Sequence, residues 1–296
     1  MNKRLLVCIW ALATGLAALP DLHAAPISGK FVIGGEELPL KEVAAFRMRD
    51  QRNPRQFETY VMLTATPVDR KAIAAALDPY MVAINDPAVS GEANFLGLSV
   101  SAEAVVGMNA RFDGTQYLDT SGTMMGQKGS LVATCKENSA TRISCVVKTA
   151  QPVKSMDGPT WSMDMTFESE VLSRPQGKAI AKDGEAPGKA LLALRAALGG
   201  KDLAKILALL APEEAKSYQE DWRSPQENLE SARDILGTVL PKKPKITGGE
   251  WLATDSAVLE VEGEPFDGTR MLYLVEMRQV NGNWVFVTSR TAGLLR

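Results

Sequence analysis

The chain has 296 residues, a formal net charge of −2 and 45% hydrophobic residues, with one histidine and three cysteines. This length is sufficient for two domains of ordinary size. The near balance of acidic and basic residues excludes the strongly basic surface of a typical nucleic-acid-binding protein, so no nucleic acid is expected among the partners.

The first 24 residues have the pattern of a secretory signal peptide. The positively charged start Met1–Arg4 precedes the uncharged apolar stretch Leu5–Leu19, and small residues follow at Ala24 and Ala25. Cleavage near Ala24 predicts a mature protein that is periplasmic or secreted. The apolar stretch is shorter than the roughly 20 residues of a membrane-spanning helix, and no later segment qualifies, so no membrane insertion of the mature chain is expected.

Removal of the predicted signal peptide would take away the only histidine, His23, and one cysteine, Cys8. The 272 residues that remain would carry a net charge of −3, because the segment holds two basic residues and one acidic residue. Without histidine, neither a Ser-His nor a Cys-His catalytic pair can form, and no imidazole is left for a metal. We therefore expect no metal, no cofactor and no enzymatic activity, although carboxylate, tyrosine and lysine chemistry remain open.

The remaining cysteines, Cys135 and Cys145, are expected to form a disulfide in an exported protein. Each lies in a stretch of alternating apolar and polar residues, and the turn-like segment 137–141 separates the two stretches. Folding the hairpin about this turn places Cys135 opposite Cys145 and Ala133 opposite Val147. A redox-active pair is the alternative, but the spacing differs from Cys-x-x-Cys.

Residues 26–173 are predicted to form an antiparallel β-rich domain. Its strands are expected at 57–64, 96–104, 107–112, 115–123 and 160–171. In the last strand every second side chain is large and apolar, with Trp161, Met163, Met165, Phe167 and Val171 on one face. Such a stripe is typical of a core, and the alternative is the lining of a ligand groove.

One helix is predicted within this domain. Asp69 is a suitable N-cap, and Ile73, Leu77 and Met81 follow at helical spacing up to the segment Asn85-Asp86-Pro87. We therefore expect the sheet to carry a single helix on one side.

Residues 174–186 are polar and contain proline and glycine, which predicts a linker. Helical periodicity follows at 190–198, 202–210 and 225–236, and the last of these opens with the capping box Ser224-Pro225-Gln226-Glu227. Strands are then expected at 251–254, 257–261, 269–280 and 283–289, with turns at Asp267-Gly268 and Asn281-Gly282. The sequence thus predicts a second domain, 187–296, in which helices precede a meander of strands.

This second layout resembles the NTF2-like cone fold. The residues that carry the resemblance are Ala190–Leu210 at the helical start, the strand Met271–Val280, and Gly282-Asn283-Trp284-Val285-Phe286 after the turn. The resemblance covers about 110 residues and implies a curved sheet wrapped on helices around a conical pocket. The expected fold class is therefore α+β, with an N-terminal β-rich domain and a C-terminal NTF2-like domain.

The resemblance also suggests where a pocket would lie. Its candidate residues are Tyr218, Asp221, Trp222, Trp251, Tyr273, Glu276 and Trp284. The dehydratases of the family use a histidine that is missing here, whereas the ketosteroid-isomerase pattern of a tyrosine with aspartates has Tyr218, Asp221 and Tyr273 available. The alternative is that Tyr218 and Asp221 have no catalytic role, since the end of a surface helix explains both residues equally well. Glu276 would be a site candidate with a raised pKa if it points inward, and an ordinary carboxylate if it points outward.

Three functions follow from these observations. The first is an exported, non-catalytic protein that binds another protein, in one form an immunity protein against a toxin that acts in the periplasm. The second is a carrier or sensor of a small apolar ligand in the C-terminal cone. The third is an isomerase-like enzyme without histidine.

Overall fold

The computed structural model of the chain describes residues 27–50, 53–101, 105–119, 131–154, 158–219, 223–264 and 269–295. The protein is mixed α/β, with about 50% strand and 21% helix. The predicted signal peptide lies outside the described residues. Within them, no helix is long and apolar enough to cross a membrane.

In its described residues, the N-terminal part forms one curled sheet with two short helices. Its elements are β1 (Ile27–Ile33), β2 (Glu36–Glu37), β3 (Glu42–Asp50), β4 (Asn53–Thr64), α1 (Arg70–Ala75), α2 (Pro79–Ile84), β5 (Phe95–Val100), β6 (Val105–Phe112), β7 (Thr115–Asp119), β8 (Leu131–Asn138), β9 (Arg142–Thr149), β10 (Val153–Lys154) and β11 (Thr160–Leu172). All eleven described strands belong to the same sheet.

Strand β11 joins the two halves of this sheet. It pairs antiparallel with β1 and β9, and its last residues, Val171 and Leu172, pair in parallel with β3. The sheet continues from β3 through β4, β5 and β6 to β7. The curl brings side chains from both halves into one core, which holds the predicted stripe Trp161, Met163, Met165, Phe167 and Val171. This stripe is therefore core rather than the lining of a groove.

The predicted disulfide is confirmed. Cys135 and Cys145 are bonded across the β8–β9 hairpin, and Ala133 lies opposite Val147 as expected. Cys145 is buried, so the bond is anchored in the core of the curled sheet.

The prediction of one continuous helix at 69–85 is wrong. Asp69 does cap α1, since its side chain accepts a hydrogen bond from the Ala72 amide, but the chain leaves the helix at Ala76. A second helix then starts at Pro79, with Asp78 as its N-cap. Proline suits the first turn of a helix but not its interior, and this explains the interruption.

In its described residues, the C-terminal part forms a five-stranded antiparallel sheet with four helices. Its elements are β12 (Lys178–Ile180), α3 (Glu185–Ala197), α4 (Leu203–Leu207), α5 (Pro212–Ser217), α6 (Pro225–Val239), β13 (Lys245–Ala253), β14 (Ser256–Gly263), β15 (Met271–Val280) and β16 (Asn283–Leu294). Strand β12 lies in the segment predicted as a linker and forms the edge of this sheet beside β13. The connection between the two sheets is therefore shorter than the sequence indicated.

Two local predictions in this part are confirmed. The capping box begins α6, with the Glu227 amide donating to Ser224 Oγ and the Ser224 amide donating to Glu227 Oε2. Asn281 and Gly282 have φ angles of 51° and 80°, which fit the two-residue turn between β15 and β16. The predicted turn at Asp267-Gly268 lies outside the described residues.

The C-terminal sheet is buried on both faces. Along β14, Ala257, Leu259 and Val261 pack with the helices, whereas the alternate residues Val258 and Glu262 are also buried. Because successive side chains of a strand point to opposite faces, the second set must be covered by something other than the helices. The curled sheet and the α1–α2 turn provide that cover, through side chains that meet across the boundary.

A charged cleft between the two sheets

A cleft of about 950 Å³ lies between the curled sheet and the C-terminal sheet, and it opens to solvent where Arg55, Phe57 and Lys182 are exposed. We call it the interdomain cleft. Its walls come from the ends of β3 and β4, the α1–α2 turn, the connection 172–177 and the face of β13–β16 that points away from the helices. Among its described lining residues, the basic side chains are Arg47, Arg49, Arg55, Arg174, Lys182, Lys245 and Arg290, and the acidic ones are Glu250, Glu260 and Glu262.

The alternation of the strands explains how these charges arrive there. On β3, Val43 and Ala45 belong to the core of the curled sheet, and Arg47 and Arg49 continue the same face beyond it. The apolar side chains on this face of β3 are therefore buried in the core, and the arginines that follow them lie at the rim of the cleft.

Glu262 is the centre of one group of charges. Its side chain is only 4% exposed and forms ion pairs with Arg55 of the curled sheet and with Arg270 (2.6 Å) and Lys245 (3.9 Å) of its own domain. Burial acts to raise the pKa of Glu262, but the hydrogen bond from Arg55 and the three positive charges outweigh it and hold this pKa below its usual value. The carboxylate is therefore ionised and links the curled sheet to the C-terminal sheet.

Two more ion pairs close the same boundary. Arg49 binds Glu260 across the domains, and its Nη1 also donates to the Pro54 carbonyl oxygen (2.7 Å). Arg174, just after β11, binds Glu250, which also accepts a hydrogen bond from the Gly177 amide (3.1 Å). Arg49 and Glu260 are 211 residues apart in sequence, and their ion pair helps to fix the position of one sheet against the other.

Arg290 of β16 forms a further contact, with the α1–α2 turn. Its guanidinium pairs with Asp78 (2.7 Å) and donates to the Leu77 carbonyl oxygen (2.6 Å). Burial, together with the neighbouring charge of Arg290, lowers the pKa of Arg174. Positive charges are therefore crowded in the cleft, despite the negative net charge of the chain.

Phe57 is the aromatic group at the rim. Its side chain is 48% exposed, and the guanidinium carbons of Arg49 and Arg47 lie 4.9 Å and 5.9 Å from the ring centroid. Arg47 also donates to the Phe57 carbonyl oxygen (3.1 Å). Cations at these distances are attracted to the ring face, so the three side chains form one cationic and aromatic surface.

The five candidate pocket residues that the structure describes do not lie together, because the four aromatic ones share a cluster and Glu276 lies on the other face of the sheet. Tyr218 and Tyr273 are buried between the helices and the sheet, and Trp251 and Trp284 pack against the same cluster with their ring centroids 5.4 Å apart. Asp221 and Trp222 lie outside the described residues. Tyr218 and Tyr273 are therefore part of the core beneath the helices, and the two tryptophans lie partly buried at its margin.

Tyr218 is held by a local contact, since its hydroxyl donates to Glu214 Oε1 (3.0 Å). Burial and this carboxylate raise the pKa of the tyrosine. At neutral pH its hydroxyl is therefore a proton donor that is already engaged.

Glu276 lies on the opposite face of the sheet from the aromatic side chains. It is half-buried near the Arg290–Asp78 pair. Burial raises the pKa of Glu276; the charge of Arg290 opposes this effect and that of Asp78 adds to it. This carboxylate belongs to the boundary between the domains rather than to a cone pocket.

The cleft residues were missed in the sequence because β3 was not predicted and the pairs join distant positions. One signal was present: four arginines fall within residues 47–55. Among the described residues, no group of three or more His, Cys, Asp or Glu side chains could hold a metal ion. The chain matches no protein-family model and no curated protein.

Proposed function

We propose that the protein is an exported, non-catalytic binding protein whose partner is another protein, and that the interdomain cleft is its binding site. The cleft carries this proposal, because a half-open groove between two domains can receive a chain segment that enters and leaves. Ligand pockets for small molecules instead bury most of the ligand surface.

The export proposal rests on the pattern of residues 1–24 and is supported by the disulfide, since disulfides persist in oxidising compartments. The NTF2-like proposal for residues 187–296 is supported by helices that precede an antiparallel sheet and cover one of its faces. The burial of Tyr218 and Tyr273 in the core of this part favours protein binding over transport of a ligand in the cone. An immunity protein against a toxin of the periplasm is one form of this function.

Site-specific photo-crosslinking in the native cell tests the proposal. A photoreactive amino acid is placed at Phe57 or at Lys182, both in the cleft, and at Val132 as a control, which is 51% exposed outside the cleft lining. We expect a specific protein adduct from the two cleft positions and not from Val132. Adducts of equal amount and identity at all three positions, or none in the cleft, would refute the proposal.

A further inference from the structure

The charge of the interdomain cleft differs from that of the chain. The chain has a formal net charge of −2, whereas the described lining residues include seven cations and three carboxylates. Resting on the proposed function, we propose that the cleft binds an acidic, extended segment of the partner protein.

Two of the cations have no carboxylate partner in the part of the chain that the structure describes. Arg47 hydrogen-bonds only to the Phe57 carbonyl oxygen, and Lys182 is exposed beside the edge strand β12. Arg49 and Arg55 each bind one glutamate, but a guanidinium has five N–H donors in a fixed fork, so donors remain for a second carboxylate. The free positive charge therefore lies along the rim.

Apolar groups lie beside these cations. The Phe57 ring is exposed, and Leu77 and Leu274 are half-buried in the same cleft. An extended chain presents alternate side chains to opposite sides. A segment that carries both acidic and apolar residues can direct its carboxylates to Arg47 and Lys182 and its apolar side chains to the leucines and the ring.

The alternative of a small anion fits this geometry less well. A half-open groove leaves much of a small ligand in water, and exposed charge pairs contribute little when water and salt screen them. Several carboxylates on one chain reach several cations together, and the apolar contacts add affinity that salt does not screen.

The binding test uses the mature protein with its disulfide intact and a fluorescent ten-residue peptide of alternating glutamate and leucine. The matched peptide has glutamine in place of glutamate. We expect the glutamate peptide to bind at least about tenfold more tightly, and this preference to shrink as salt increases. Equal binding of the two peptides would overturn the inference.

Variants locate the binding. Arg47→Ala and Lys182→Ala are each expected to weaken binding of the glutamate peptide by about threefold to tenfold, whereas Arg47→Lys retains most of it. Lys136→Ala is the matched control, because Lys136 is an exposed cation on β8 outside the cleft lining. An equal loss in the Lys136 variant, or full displacement of the peptide by millimolar glutarate, would show that only charge is recognised and would overturn the inference.

The two proposals fail in different ways. A cleft-specific crosslink to a segment that is not acidic, together with no peptide binding, would refute the acidic-segment proposal and leave the protein-binding proposal standing. Absence of any crosslink from Phe57 and Lys182 removes the function itself.

Discussion

Arg290 offers the sharpest test of how the two domains are held together. Its side chain is 27% exposed, and it forms a charge-assisted pair with Asp78 and a hydrogen bond to the Leu77 carbonyl oxygen. Exposed pairs contribute less than about 1 kcal/mol, whereas hydrogen bonds to charged groups contribute about 1.5–3 kcal/mol. For this partly buried contact we expect Arg290→Gln to lower the free energy of unfolding by about 1–2 kcal/mol at neutral pH.

The pH dependence of this loss follows from Glu276. Because burial raises the folded-state pKa of Glu276 above its unfolded value near 4.3, its ionisation opposes folding, and stability falls as pH rises through that window. Arg290 counteracts this effect by favouring the ionised carboxylate. The deficit of Arg290→Gln should therefore be larger at pH 7.5 than at pH 4.5, because a greater fraction of Glu276 is ionised at the higher pH.

Urea unfolding followed by tryptophan fluorescence at the two pH values measures the deficit. Arg278→Gln is the matched control, since Arg278 lies on the same sheet but pairs with Glu213 in an exposed position. The control should lose less than about 1 kcal/mol, with no dependence on Glu276. A variant of Arg290 as stable as that control, or a deficit independent of pH, would contradict the reasoning.

Three further outcomes can be measured by the same unfolding assay. Replacing Cys135 and Cys145 by alanine opens a loop of sequence separation 10 and should cost about 2.7 kcal/mol, and reduced wild type should show a similar loss. Gly97→Ala places a Cβ atom 1.9 Å from the Tyr60 hydroxyl oxygen and should lower the free energy of unfolding by about 1–3 kcal/mol. The same substitution should have little effect in a Tyr60→Ala background, and an unchanged loss there would exclude the clash as its cause. The stability contributed by ionised Glu262 should be present above about pH 4.3 and be lost as pH falls through its lowered folded-state pKa. The difference in free energy of unfolding between wild type and Glu262→Gln should therefore narrow on acidification, and a constant difference would argue against the lowered pKa.

The sequence predicted the structural elements that depend only on residues close together in the chain. The alternation at 160–171, the Asn281-Gly282 turn and the Ser224 capping box each depend on neighbouring residues, and the structure contains all three. The disulfide was also predictable, because its two cysteines lie in one hairpin.

Other features depend on contacts that no local pattern contains. The spacing of Ile73, Leu77 and Met81 suggested one helical face, but only Ile73 is buried in the core, and Pro79 begins a new helix. Strand β12 has three residues and exists because β13 pairs with it. The candidate site was the least predictable, since Arg49 and Glu260 meet only when two separate sheets dock.

The short connection keeps the two sheets close together, so few contacts are needed to hold them docked. Only residues 173–177 separate the end of β11 from the start of β12, which limits the span from Leu172 to Lys178 to about 20 Å even when the connection is fully extended. Docking is then an intramolecular event at a high effective concentration. A few ion pairs suffice to keep the cleft assembled, and a ligand that competes for Arg49 or Arg55 could loosen it without separating the domains.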